Sequence, residues 1–145
     1  MELEKILGTD TGKEAFFKTD RNFIQLDTLV GLGGVIESGS NASGNYIKFA
    51  DGTLLCTYNA TVTDQAITDA WGSMFTGRRT WSYPASFISS PSVIASIFRW
   101  GTQASFGSCW ANGATAAVMR VYDISARAIG ESTILGFVAI GRWKA

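Results

Sequence analysis

YIKFADGTLLCTYNATV, residues 46–62, holds two β-prone runs on either side of Ala50-Asp51-Gly52. An Asp-Gly pair in that position is a hairpin signal, because a tight turn between antiparallel strands needs positive φ and Gly adopts it without strain. Residues 46–49 and 53–62 are therefore predicted as paired strands. Similar runs follow at RRTWSY (78–83), SVIASIFRW (92–100), roughly 104–110, ATAAVMRVYD (114–123) and STILGFVAIGRW (132–143). Turn signals separate them: Pro84, Ser90-Pro91, Gly101, Asn112-Gly113 and Gly130. No helical periodicity lies between these runs. Six or seven strands so spaced predict a mainly β fold, an antiparallel β-sandwich over residues 35–145, rather than a parallel sheet. Residues 63–77 read as a loop with one helical turn.

The late strands carry apolar residues on both faces. In 132–143, Ile134, Gly136, Val138 and Ile140 alternate with Leu135, Phe137 and Ala139. In 114–123, Ala116 and Val118 face one way and Ala117, Met119 and Val121 the other. A two-layer sandwich standing alone should keep one polar face per strand. A second covering layer is implied, supplied either by neighbouring subunits or by long loops over central strands.

Upstream, residues 12–30 read as a helix. Phe16, Thr19, Phe23, Leu26 and Val30 follow heptad spacing, with Phe17 and Ile24 widening the stripe. Thr11 stands three residues before Glu14, the capping-box spacing. Such a stripe needs cover. It packs either on the chain's own β domain or against copies of itself in a trimeric coiled-coil-like bundle. Gly31, Gly33 and Gly34 and the run ESGSNASGN (37–45) read as a Gly/Ser/Asn-rich connector, which favours meeting other helices. The domain reading is thus 1–34, an extended segment and helix for trimerisation and attachment, and 35–145, a β head.

Composition narrows the function. The chain has 145 residues and no His. Ser-His-Asp and Cys-His catalysis, His-containing zinc sites and His-based proton transfer are excluded. Two cysteines make no disulfide framework and read as reduced thiols packed as small hydrophobes. No metal or other cofactor is expected. No apolar run reaches the ~18 residues of a membrane-spanning helix, and the acidic, polar start MELEKILGTDTGKE is no signal peptide, so synthesis in a cytoplasm is expected. Residues 77–145 hold seven bases against two acids. Those bases are dispersed, which suits an anionic surface polymer better than nucleic acid.

Candidate chemistry sits in the aromatic and basic residues of the loops. Trp71, Phe75, Trp81 and Tyr83 bracket Gly77-Arg78-Arg79, and Trp100 and Trp110 flank residues 101–108, next to Arg99. Exposed rings stack on sugar faces, and Arg engages carboxylate or phosphate. Trp71, Arg78, Arg79, Trp81, Arg99 and Trp100 are the candidate receptor-binding residues; core or interface filling is the competing role for each Trp. Asp64 and Asp69 could supply a glycosidase-like carboxylate pair, but their Thr- and Gln-rich surroundings suit a solvated turn. No catalysis is expected.

Three stretches resemble one family. SGSNASGNYIKFADGTLLC (38–56) is similar to the opening of the C-terminal domain of phage tail-fibre proteins, WSYPASFISSPSVIAS (81–96) to its aromatic-x-Pro-x-x-Phe-x-x-x-Pro segment, and GFVAIGRWK (136–144) to its Ala-Ile-Gly-Arg-Trp terminus. TGKEAFFKTDRNFIQLD (11–27) resembles a short helix of tail and baseplate proteins. Cys56-Thr57-Tyr58 stand where the family carries Trp-Gly, and residues 63–80 and 98–117 carry none of its motifs. The resemblance implies a receptor-binding component of the virion, a homotrimer with a helical bundle and a distal β-sandwich head. Adhesion to a bacterial surface glycan would be its task, with the N-terminal segment joining other tail or baseplate proteins. The alternative it leaves is a structural tail component that touches no host. Met1 and the Trp-Lys-Ala ending read as those of a complete small fibre protein.

Overall fold

A computed structural model of the chain describes residues 33–99 and 105–145, and singly Lys18, Arg21, Asn22 and Gln25, each helical. The seam residues Phe16, Thr19, Phe23, Leu26 and Val30 lie outside the described residues, as does Trp100. Nine strands form among the described residues: β1 (Val35–Asn41), β2 (Gly44–Phe49), β3 (Thr53–Val62), β4 (Asp69–Trp71), β5 (Met74–Ser82), β6 (Ser92–Arg99), β7 (Phe106–Ala111), β8 (Ala116–Asp123) and β9 (Thr133–Arg142). They make two antiparallel sheets, a five-stranded one in the order β1-β2-β3-β9-β6 and a four-stranded one in the order β4-β5-β8-β7.

The Asp51-Gly52 turn joins β2 to β3 as predicted, with Gly52 at φ +92°. Asp51 Oδ1 accepts a hydrogen bond from the Thr53 amide at 2.8 Å. That bond is the main cause holding its carboxyl below the usual carboxylate range, with Arg142 and Lys144 adding to it. Two expectations need correction. The Gly/Ser/Asn run is a strand rather than a connector: β1 pairs with β2 across a tight turn at Ala42-Ser43. Its small polar residues suit an exposed edge strand, which has no inner face to fill. Residues 69–77 are likewise no helical turn. Gly72 at φ +61° reverses the chain between β4 and β5, so the second hairpin begins earlier than the RRTWSY run suggests.

The core lies between the sheets. Leu54 and Cys56 of β3 and Leu135, Phe137 and Ala139 of β9 meet Trp81 of β5 and Ala117, Met119 and Val121 of β8. Their alternation with outward residues is the period of two that a pleated strand imposes. Trp81 is the central piece, stacked on Phe137 at 5.2 Å and edge-on to Tyr83 at 5.1 Å. Its indole N–H is satisfied by the Ser43 carbonyl at 2.7 Å. Cys56 and Cys109 are free thiols. Burial pushes the Cys56 thiol up to about 11, which keeps it protonated and unreactive.

The residues of the three resembling stretches converge at one end of the sandwich. Trp143 donates its indole N–H to the Phe49 carbonyl at 2.9 Å and its amide to the Gly52 carbonyl at 2.9 Å. Lys48 lies 5.5 Å from the Trp143 ring centre. The Ile88 amide donates to the Arg142 carbonyl at 2.9 Å, and a side chain at Gly141 would strike Phe87 and Pro91. These motifs therefore build the fold.

Candidate functional site

The outer face of the four-stranded sheet concentrates the binding chemistry. Strand register sets it out in rows. Asp69, Thr76, Tyr122 and Phe106 stand side by side across β4, β5, β8 and β7. Arg78, Arg120 and Ser108 form the next row, then Thr80, Val118 and Trp110. Trp71 leans onto Tyr122 from the β4 edge, rings 4.9 Å apart, and Phe106 stacks on Tyr122 at 5.6 Å from the β7 edge. Trp71, Phe106 and Trp110 are all exposed, Trp71 by 53%. Beneath this layer Thr76 is buried, its hydroxyl donating to the Val121 carbonyl at 2.9 Å.

The face is anchored from below. Asp123, fully buried at the end of β8, accepts from the Ser105 hydroxyl at 2.8 Å, the Ser125 amide at 2.9 Å and Arg127 Nε at 3.2 Å. Burial alone would raise its pKa. The Ser125, Ser105 and Arg127 donors outweigh that and hold the carboxyl below its ordinary range. Because Ser105 directly precedes Phe106, this cluster anchors the start of β7 and with it one side of the aromatic row.

Of the six candidate receptor-binding residues, the five that are described are not brought together. Trp71 and Arg78 share the outer face just described. Trp81 is 4% exposed and Arg99 4% exposed, and their packing makes them structural. Arg99 ties the loops on either side of it, donating to Glu131 Oε2 at 3.0 Å and to the Gln65 and Ala128 carbonyls at 3.1 and 2.7 Å. Arg79 points to the opposite face from Arg78, as neighbours on a strand must. It lies in a cleft beside Ser43, Tyr58, Trp81 and Ser82, and its guanidinium donates to Asp64 Oδ1 at 2.7 Å. That contact lowers the Asp64 pKa. Asp69 is on β4, on the outer face, so the two aspartates of the considered carboxylate pair are differently engaged.

Sequence reading missed Arg120, Tyr122 and Phe106 as site residues. The signal was present, since Val118, Arg120 and Tyr122 continue the face assigned to Ala116 and Val118.

The five-stranded sheet has a different outer face. Ile94 pairs with Val138, Phe98 with Ile134 and Ser92 with Ile140. Ile94, Phe98, Val138 and Ile140 are exposed. Gly136 leaves a shallow groove there, bordered by Asn45, Thr57, Asn59, Ile94, Ser96 and Val138. The two faces read along 132–143 are the observed ones, and among the described residues no loop covers the outer one.

Together these features define a class of structure, a small two-sheet antiparallel head with one outer face mostly aliphatic and the other rich in aromatic and basic residues. No family model matches the chain, and no curated protein matches it. Solved structures do. One is the C-terminal part of a P. aeruginosa R1 pyocin fibre, with a TM-score of 0.51 and 16% identity over 93% of this chain and 32% of that one. Another is an N-truncated R1-type pyocin tail fibre, with a TM-score of 0.52 and 17% identity over 93% of this chain and 99% of that one. The chain thus spans about a third of the longer fibre fragment and nearly all of the shorter. The fold is that of these tail-fibre structures, in agreement with the resemblance carried by residues 38–56, 81–96 and 136–144.

Proposed function

We propose that the chain is the head of a phage or prophage tail fibre, a virion component that adheres to a saccharide on the bacterial surface without catalysis. The observation that carries this reading is the tail-fibre fold over 93% of the chain. The aromatic and basic face of β4-β5-β8-β7 supplies the chemistry a glycan needs, ring faces for stacking and guanidinium and hydroxyl donors for its oxygens. Three copies associate through the helical seam and through the aliphatic face of β9 and β6, giving three weak sites the combined strength of one avid one. The N-terminal segment joins other tail or baseplate proteins.

The test is adsorption of fluorescently labelled protein to a panel of bacterial strains, compared with the Trp71→Ala and Arg78→Gln variants. At least one strain should bind the parent protein, and each substitution should reduce that binding several-fold. Adsorption to no strain, together with capture of a tail protein by the N-terminal segment, would establish the structural-component reading instead. The exposed aliphatic face favours that second reading, since it suits protein contact.

A further inference from the structure

Arginine is always charged, and like charges directly opposite one another on neighbouring strands destabilise a sheet. Arg78 of β5 and Arg120 of β8 are such a pair, with Cβ atoms about 5 Å apart by the geometry of antiparallel strands. Elsewhere in the head arginines face carboxylates. Arg79, Arg99 and Arg127 form ion pairs with Asp64, Glu131 and Asp123, and the charge of Arg142 acts on Asp51. Among the described residues no carboxylate lies within ion-pair distance of Arg78 or Arg120. Asp69 is the acid of this face, at its β4 edge one row away. The repulsion is therefore left standing at the centre of the sheet, where a single opposite change at either position would remove it.

The surroundings state what relieves it. One row away Tyr122 and Phe106, with Trp71 packed on Tyr122 from the row beyond, form a continuous aromatic surface, and on the other side stands Trp110. Ser108 completes the row of the two arginines with a hydroxyl. Rings that stack on the C–H face of a pyranose, set beside paired guanidinium forks that bind carboxylate or phosphate oxygens, form a recognition surface for a charged sugar. We infer that Arg78 and Arg120 together bind the anionic group of an acidic saccharide, with the rings of Trp71, Tyr122 and Phe106 or of Trp110 against its sugar residues. This rests on the saccharide-binding reading above and adds the charge class of the ligand.

The experiment uses the full chain and two negatively charged probes, oligogalacturonate for carboxylates and a phosphomannan oligomer for phosphodiesters. Methyl-esterified oligogalacturonate and unphosphorylated mannan serve as neutral counterparts. Calorimetric titration in dilute buffer should show binding of at least one charged oligomer, and binding to its neutral counterpart at least ten-fold weaker. Salt at 0.5 M should abolish most of it, because screening shortens to a few ångströms. Arg78→Gln and Arg120→Gln should each weaken binding at least ten-fold. Each should also raise the melting temperature of the unliganded protein by about 2 °C, since the repulsion is gone. That opposite movement of affinity and stability distinguishes a binding pair from a merely structural one. Equal binding of charged and neutral oligomers, an equal response to inorganic sulfate, or no response to either charged probe would overturn the inference. So would unchanged affinity in both variants. The fibre reading fails separately, on cell adsorption, and a protein that adsorbs to cells with no dependence on Arg78, Arg120 or salt would retain it while losing the anionic ligand.

Discussion

On the outer face of the five-stranded sheet, Ile94, Phe98, Val138 and Ile140 lie exposed with serine and asparagine around them. On the outer face of the four-stranded sheet, the same strand alternation presents Trp71, Tyr122, Phe106 and Trp110 around two arginines. Neither face is needed to close the core, which both sheets fill from within. Under the proposed function the two faces divide the labour. The first face, three aliphatic branched side chains and Phe98, carries no polar side-chain atom among its exposed large residues and offers no directed bond, which suits a permanent protein contact. Aromatic rings with guanidinium forks offer orientation and reversible polar contact, which suits a ligand.

The strongest way to break this comparison is to charge one face at a time. Val138→Asp puts a carboxylate in the middle of the aliphatic face and should lower the solution mass from about three times 15.6 kDa to that of one chain, read by light scattering. Arg78→Asp on the other face should leave the mass unchanged. If both variants keep the parent mass, the aliphatic face is not the subunit contact.

A smaller effect comes from beneath the aromatic face. Asp123→Ala removes a fully buried acceptor of three hydrogen bonds and should cost about 3 kcal/mol in urea unfolding. Hydrogen exchange should rise first in residues 105–111, which Ser105 anchors, and last in β9. The same carboxylate gives a pH dependence. Its native pKa lies below the unfolded value of about 3.9, so its contribution is complete above that pH and is lost as pH falls through the native value. Asp123→Asn should flatten the acid limb of a stability-against-pH curve, and an unchanged limb would assign it to Asp51, Asp64 and Glu37.

The smallest change in stability is expected for Trp71→Ala. It deletes one ring contact with Tyr122 at a 53% exposed position and should cost about 1 kcal/mol. Mass should stay the same while saccharide binding falls. A large loss of stability would make Trp71 a structural residue and return the site to Trp110 and Phe106.

The sheets were legible in the sequence where turn chemistry and alternation agreed. Asp51-Gly52 located the β2–β3 hairpin, and the split of Leu135, Phe137 and Ala139 from Val138 and Ile140 gave both faces of β9. β1 escaped because an exposed edge strand has no inner face to write an apolar period into VIESGSN. The β4–β5 hairpin escaped because β4 is three residues long and Gly72 alone marks its turn. The candidate site was half legible. Trp71 and Arg78 stood out by residue type, but their partners Arg120, Tyr122 and Phe106 lie some 30 to 50 positions away and become neighbours only through the pairing of β5, β8 and β7. Residue type also misled at Trp81 and Arg99, since a core indole and a loop-tying guanidinium look the same in sequence as exposed ones.

The place of β9 has a consequence for how the head is made. Thr133–Arg142 lies between β3 and β6 and pairs with both along its length, so the last of the nine described strands to be synthesised is an inner one. Until it has emerged, β3 and β6 have no neighbour on that side, and the core between the sheets lacks Leu135, Phe137 and Ala139. The head must then assemble after its whole length has been translated, through contacts far apart in sequence, a route that is slow and exposes unpaired strand edges while it lasts. Trp143, reaching back across 94 positions to the Phe49 carbonyl, is the latch of that late closure. A chain that stops short of β9 would lose the middle of a sheet rather than fray at one end.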